Sequence, residues 1–396
     1  MATRLAVPSK DLQLHIIGAL ESYKAARVQR MTLTANQPSE TKDELGNPLH
    51  VGDAKDTADV NITFSAFDVG IKVFSALTGT DSTSYPGAGV DISSLSEVDL
   101  AVYIKDATVS DYVKSMHAHR LQIQDFTFNY SVDGDSTEDY TAVGSERRYL
   151  KYDVQVDKFT TGTTSFTLTQ TPIQLRNGNY GLSVILDGDY LTEVSAAPST
   201  GEYRIVGTTL TTGDTRTAQV IAVYHANPAG TNWADVADSS MPAAIRGRDV
   251  GIKIAANDIS RVQSVTINGN LNVQPVKELG SRSVIGYQRQ VPTVEGTITV
   301  LDTDTDLISL LTYGTIGSGV EWQPGEGCIS SGMALTIELY DPCDVDAPID
   351  VLKTIYIPDI SVVGDTYTSN VNNNATQTFN WKSIDAQCII YSGAMP

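Results

Sequence analysis

Apolar positions in this chain recur every second residue far more often than every third or fourth. In ADVNITFSAFD, Val60, Ile62, Phe64 and Ala66 alternate with polar residues, and in PTVEGTITVLD the positions Val294, Gly296, Ile298 and Val300 do the same. Strict alternation predicts half-buried β-strands. Each is followed by one short helical pattern, VGIKVFSALTG over 69–79 and TDTDLISLLTYG over 303–314. Asp68 and Asp302 or Asp304 read as N-caps of these helices, and Gly79 and Gly314 as their stops. The turn-rich stretches 126–144 and 361–383 predict long hairpins.

The two strands belong to a longer internal repeat. RVQRMTLTANQPSETKDELG (27–46) and RVQSVTINGNLNVQPVKELG (261–280) lie 234 residues apart. Without a gap, Arg27, Val28, Gln29, Thr32, Asn36, Glu44, Leu45 and Gly46 match Arg261, Val262, Gln263, Thr266, Asn270, Glu278, Leu279 and Gly280. AVYIKD, ending at Asp106, and TIELYD, ending at Asp341, continue the match at an offset of 235. Two copies at so long a period indicate a duplicated domain, not a solenoid. The expected organisation is one domain over 1–150, a second over 250–396, and different material between them. Residues 151–230 show short alternating strands with NG, DG and GD turns and end in the apolar VIAVY, which predicts a small antiparallel, Ig-like β-sandwich. Residues 231–249 read as a linker rich in Ala, Asp and Ser. The expected fold class is therefore mainly β, two barrel- or sandwich-like domains with one short helix each and an intervening sandwich.

Composition and charge narrow the function. A length of 396 residues suits two or three domains. The formal charge is −20. Residues 1–150 hold 13 Lys+Arg against 21 Asp+Glu, residues 151–249 hold 7 against 10, and residues 250–396 hold 7 against 16. So acidic a chain does not grip nucleic acid by neutralising phosphates. Cys328, Cys343 and Cys388 are too few and too scattered for a disulfide framework or a zinc knuckle. No signal peptide or membrane-spanning run is expected, which points to a soluble protein made in a cytoplasm.

The run VQSVTINGNLNVQPVKELG, followed after a gap by VPTVEGTITVLDTD, resembles the tail tube (major tail) proteins of tailed bacteriophages. In those proteins a strand leads into a long loop ending near ELG, and a Pro-preceded strand and a short helix follow. The first copy matches more loosely, lacking the VP. The middle segment resembles the β-sandwich decoration modules of phage structural proteins. The resemblance implies a virion protein, made in the bacterial host cytoplasm, that self-assembles into stacked rings as a conduit for DNA ejection. Two tube domains per chain imply a homotrimeric, pseudo-hexameric ring, with a homohexamer as the alternative. Further implied partners are the tape measure, terminator and tip proteins of the tail, and double-stranded DNA passing through without specific binding; an acidic wall suits that passage. Arg27, Glu44, Arg261 and Glu278, repeated charges flanking the long loops, become candidate inter-subunit contacts. Alternatives are a tail-tip, adaptor or terminator ring protein, and a carbohydrate-binding adhesin with Tyr180, Tyr190 and Tyr203 on its sandwich.

Enzyme chemistry finds little support. DTDTD (302–306) opens like a calcium loop, but Leu307 and Tyr313 stand where Gly and Glu are needed. DPCDVD (341–346) reads as a solvated acidic turn. His117 and His119 have no further ligand at metal spacing. No P-loop, GxSxG or HExxH occurs. No cofactor and no catalytic residue are expected.

Overall fold

The structure, a computed structural model, describes residues 12–18, 22–25, 27–45, 47–56, 58–67, 71–79, 89–92, 97–106, 111–151, 153–160, 163–175, 180–214, 219–226, 244–279, 284–301, 306–313, 332–343, 350–371 and 374–395. The alternating segments form strands, and the chain is mainly β. The first outer segment supplies β1 (Leu12–Ile17), β2 (Ser22–Lys24), β3 (Val28–Asn36), β4 (Ser39–Lys42), β5 (Gly52–Lys55) and β6 (Asp59–Phe67). Helix α1 (Lys72–Thr78) follows, then β7 (Val90–Asp91), β8 (Glu97–Asp106), β9 (Asp111–Ser131), β10 (Thr137–Gly144) and β11 (Glu146–Leu150). The middle segment holds β12 (Asp153–Phe159), β13 (Ser165–Thr167), β14 (Ser183–Leu186), β15 (Asp189–Tyr190), β16 (Thr192–Glu193), β17 (Glu202–Val206), β18 (Thr209–Thr212) and β19 (Val220–Ala226). The second outer segment begins with β20 (Val250–Ile254), β21 (Asn257–Asp258), β22 (Val262–Asn270), β23 (Val273–Val276), β24 (Gly286–Arg289) and β25 (Thr293–Leu301). It ends with α2 (Asp306–Tyr313), β26 (Met333–Tyr340), β27 (Val351–Thr368), β28 (Thr376–Ser383) and β29 (Ile389–Ser392).

The sequence repeat reappears in the strand pairing. In the first half the antiparallel order is β3–β6–β10–β9, and in the second it is β22–β25–β28–β27. The long strands β9 and β27 then run on into a second layer, β1–β8–β9 and β20–β26–β27. Both strands bend at a bulge, with Gln124 the extra residue in β9 and Val363 in β27. A bulge re-aims a strand, which suits one crossing between layers. Val60, Ile62, Phe64 and Ala66, with Val294, Gly296, Ile298 and Val300, all point inward and are buried. Val60, Ile62, Phe64, Val294, Ile298 and Val300 share one core with Phe126, Phe128, Tyr140, Ile267, Ile355 and Trp381, onto which α1 packs Phe74 and Leu77 and α2 packs Leu310 and Leu311.

The two halves are joined directly. Strand β22 pairs with β9, Ser264 opposite Ser131 through Asn270 opposite Asp125. A shorter bridge joins β7 to β29. Buried Lys353 of the second half reaches buried Glu138 of the first, which also accepts from Tyr140 Oη at 2.8 Å. Lys353 Nζ lies 5.0 Å from the Phe128 ring centroid.

Helix α1 stops at Gly79, whose left-handed φ of 66° lets its N–H reach Ser75 O at 2.9 Å. Its N-cap position is Ile71, without a side-chain cap. The expected caps Asp68, Asp302 and Asp304 and the stop Gly314 lie outside the described residues, as do most of the acidic runs 302–306 and 341–346, Cys328, and residues 231–243 of the expected linker.

The middle segment forms two four-stranded sheets, β12–β19–β14–β15 and β13–β18–β17–β16. One pair, β16 with β17, is parallel, where the turn pattern predicts antiparallel pairing throughout. Between the sheets lie Phe166, Leu168, Tyr203, Leu210 and Tyr224. The outer face of the first sheet is covered as well: Val154, Ile185, Ile221 and Val223 pack on Ile17, Ala101 and Tyr103 of β1 and β8. Tyr103 Oη donates to Val154 O at 2.7 Å inside that seam. Strand β19, VIAVYHA, is buried at every residue because both its faces meet apolar neighbours.

Candidate assembly interface

The repeated RVQ is a backbone device. Arg27 and Arg261 have positive φ, 58° and 64°. The next two residues enter β3 and β22, where the register shifts between Val28 and Arg30 and between Val262 and Ser264. Gln29 and Gln263 are the extra residues of two equivalent bulges. Each folds its amide back to the arginine carbonyl, Gln29 Nε2 to Arg27 O at 3.0 Å and Gln263 Nε2 to Arg261 O at 3.3 Å. The same carbonyls accept from Phe67 N and Leu301 N at 3.3 and 3.1 Å. An αL residue opening a bulge sharpens the local twist and pins the register.

From the far ends of β3 and β22 project two hairpin arms, β4–β5 and β23–β24. Their tips carry the repeated Glu-Leu. Glu44 and Glu278 are exposed, and Leu45 and Leu279 are fully exposed, at 105% and 102%. Gly46 and Gly280 lie outside the described residues. The second arm is anchored by Arg289 Nη2 donating to Gln122 Oε1 at 2.8 Å. Lys277 Nζ of the second arm stands 3.6 Å from Asp56 Oδ2 at the foot of the first. The arginines and glutamates expected to flank one loop are therefore separated by a nine-residue strand, about 30 Å. The arginines shape the strand entry and the glutamates stand at the tips.

The eight-stranded run β3–β6–β10–β9–β22–β25–β28–β27 ends in two margins that carry no further strand; on β3 the Arg147 guanidinium of β11 donates to Leu33 O at 3.2 Å. Among the described residues β3 pairs only with β6, and residues 364–368 of β27 pair only with β28. These margins are the repeat equivalents of the two strands joined at the internal β9–β22 seam. The core side of that seam is aromatic: Phe126, Phe128 and Tyr130 are buried, and Phe126 lies over Gly269, where a Cβ would come 1.8 Å from its ring. The edge of β27 carries Asp365 and Tyr367 in the matching places, with Ser369 just past its end, and Tyr367 is 57% exposed. The opposite face of the sheet is a ladder of hydroxyl and amide side chains. Thr32, Thr63, Thr141, Thr127, Asn268, Thr297 and Thr378 occur along it, with Thr127 Oγ1 donating to Asn268 Oδ1 at 3.0 Å.

A second concentration of functional groups lies where the middle sandwich meets the sheet. Asp99 of β8 is fully buried. It accepts from His117 Nε2 at 2.9 Å, Arg120 N at 2.9 Å, Tyr190 Oη at 2.9 Å and Ser183 Oγ. His119 Nδ1 is 2.6 Å from Ser183 Oγ and 3.4 Å from Asp99 Oδ2. His117 Nδ1 meets His225 Nε2 of the sandwich at 3.1 Å. Burial alone would raise the Asp99 carboxyl, but His119 and His117 outweigh it and hold it well below the usual range. Burial and the adjacent carboxylate push the Tyr190 hydroxyl well up. Ser183, His119 and Asp99 do not form a relay for nucleophilic attack. The serine and the carboxylate converge on the same ring nitrogen, and Ser183 is buried. The histidine pair thus has a carboxylate beside it that spacing along the chain did not reveal, because Asp99 lies 18 residues from His117 and reaches it only by strand pairing. No group of three or more His, Cys, Asp or Glu among the described residues is arranged to hold a metal. Tyr203 is core and Tyr190 is locked into this seam, so neither offers the exposed ring an adhesin reading needs. No described helix is long and apolar enough to cross a membrane.

Compared with the models of known protein families and with curated protein sequences, the chain matches none.

Proposed function

We propose that this chain is a structural subunit that polymerises edge to edge into rings, which stack into a phage-type tail tube. The observation that carries the reading is the internal seam. Two homologous half-sheets already pair β9 to β22, and the same two edges, β27 and β3, have no strand partner at the outer margins, where Arg147 holds one β3 carbonyl, Leu33 O, that the pairing would take over. Pairing β27 of one copy with β3 of the next repeats the internal joint, and a heterologous contact of this kind closes a ring. Closure also removes the exposed edges. Two ring positions per chain favour a trimer with pseudo-sixfold symmetry over a hexamer of chains. The arms with their bare leucines suit contact with a neighbouring subunit or ring, and an exposed apolar tip marks such a surface. The hydroxyl and amide face suits the channel wall. It offers few cations to hold phosphate, and the acidic chain as a whole repels it. Within a virion such a tube would meet the tape measure, terminator and tip proteins.

The internal seam supplies the register. Thr137 faces Phe67, and Thr376 faces Leu301, the repeat equivalent of Phe67. Equivalent residues on β9 and β27 are therefore 239 apart, while those on β3 and β22 are 234 apart. Gly269 faces Phe126 inside the chain, so Ala35 of one copy faces Asp365 of the next. Directly opposed positions place Cα atoms about 5 Å apart, within the range a disulfide spans. In a Cys343→Ser background, Ala35→Cys with Asp365→Cys should oxidise to covalent multimers that end at the trimer. Ala35→Cys with Thr366→Cys, one residue out of register, should not. Cross-linking of both pairs alike, or of neither in assembled material, would overturn the edge pairing. Rotational classes in electron micrographs separate a trimer from a hexamer.

A further inference from the structure

The seam between the sheet and the middle sandwich has an apolar part, around Ile17, Ala101, Val154, Ile185, Ile221 and Val223, and a polar part around Asp99. There His117 of β9 and His225 of β19 face each other, both buried. His117 Nε2 donates to Asp99, so in the neutral pair its Nδ1 is an acceptor and His225 Nε2–H is the donor. His225 Nδ1 is then a bare lone pair, and no partner reaches it among the described residues. A proton added there would create a buried N–H with nothing to donate to. It would also place a cation against the surrounding charge. Arg148 of β11 spans the same seam, donating from Nη1 to Gly181 O at 3.3 Å. His119 of β9 lies beyond Ser183 of β14. The acidic groups facing this place are Asp99 and, paired to Arg120 and Arg148 respectively, Glu97 and Glu146; Tyr190 of β15 completes the ring around Asp99. Asp99 is already occupied by His117, Arg120 N, Tyr190 and Ser183, and it makes no direct bond to His225.

We propose that this pair is an acid-sensitive catch: protonation of His225 releases the middle sandwich from the sheet. Burial, then the neighbouring His117 and Arg148, pushes the docked His225 from an ordinary 6.5 down to about 2. The docked state thus takes up no proton where the released one does. Docking keeps its full strength above about pH 6.5 and weakens about tenfold per pH unit as the pH falls below it. Asp99 acts in the same direction only at lower pH, below the usual carboxylate range. The catch is a property of one chain and goes beyond the ring reading.

The test is hydrogen exchange of the intact protein between pH 7.5 and 4.5, with rates corrected for the intrinsic pH dependence. Segments 97–103 and 220–226, on the two sides of the seam, should lose protection about tenfold per unit below pH 6.5. Segments 262–270 and 293–301 should keep theirs. His225→Gln, which retains a donor and cannot charge, should flatten the step. Wild-type protection that stays level to pH 4.5, or a step unchanged in His225→Gln, would overturn the proposal. Should that variant not fold, deuterium uptake at the imidazole C–H of wild-type His225 reads its titration directly. A value below 5 supports the catch, and an ordinary value near 6.5 removes it.

Discussion

At the residue scale, the most informative positions are those whose side chains serve the backbone. Arg27 and Arg261 hold φ near +60° to open equivalent bulges. A branched side chain resists that region, whereas glycine enters it freely. Arg27→Gly should leave thermal stability level or slightly raised, and Arg27→Val should lower it by about 1–2 kcal/mol in denaturant titration. Equal effects of the two would show that the arginine side chain matters, not its φ. The repetition of Arg-Val-Gln was legible in the sequence, but its cause was not. A matched triplet says that something recurs, and only the carbonyl contacts of Arg27 and Arg261 show that it is a bend. Asp99 was illegible for another reason: its partners come from β9, β14 and β15, and no local pattern links them. Lys353 and Glu138 are the same case across the two halves. Lys353→Met leaves a buried carboxylate without its cation and should cost about 3–5 kcal/mol. Adding Glu138→Leu should recover most of that loss in the same melts, and a double variant as unstable as the single would refute the ion-pair account.

At the scale of elements, period-two alternation located β6 and β25 and the faces they bury, because one side of each meets the core and the other does not. Strands β9 and β27 were harder to see as single elements. Their bulges at Gln124 and Val363 shift the alternation by one residue, so each reads as two shorter strands. The parallel β16–β17 pair was invisible for want of a long crossover. At the β9–β22 joint the fit is one of large against small. Gly269→Val drives a side chain into Phe126 and should destabilise by about 1–3 kcal/mol. Phe126→Ala in the same chain should return part of it, and simple additivity of the two losses in denaturant melts would argue against direct contact.

At the scale of the whole molecule, the chain is two copies of a two-layer unit sharing one sheet, with a sandwich docked on the first copy. The duplication and the sandwich could be read from spacing and turn residues. That the copies share a sheet could not, since nothing in Val262–Asn270 names its partner strand. Leu45 and Leu279 at the arm tips touch little of their own chain. Leu45→Ser with Leu279→Ser should change monomer stability by less than about 0.5 kcal/mol. It should nonetheless shift sedimentation profiles toward smaller species, and an unaltered profile would remove the arms from assembly. The contrast between Phe126 and Asp365 has a further consequence. The inner joint is formed once, as each chain folds, and can be as greasy as packing allows. In the proposed ring the outer margin would wait in water among many identical neighbours until it pairs. An inward-facing charge there keeps a lone margin from sticking to the first strand it meets. If the margins join copies as proposed, phenylalanine at 365 would be the better adhesive and the worse protein, because newly made copies would stick before they could be placed.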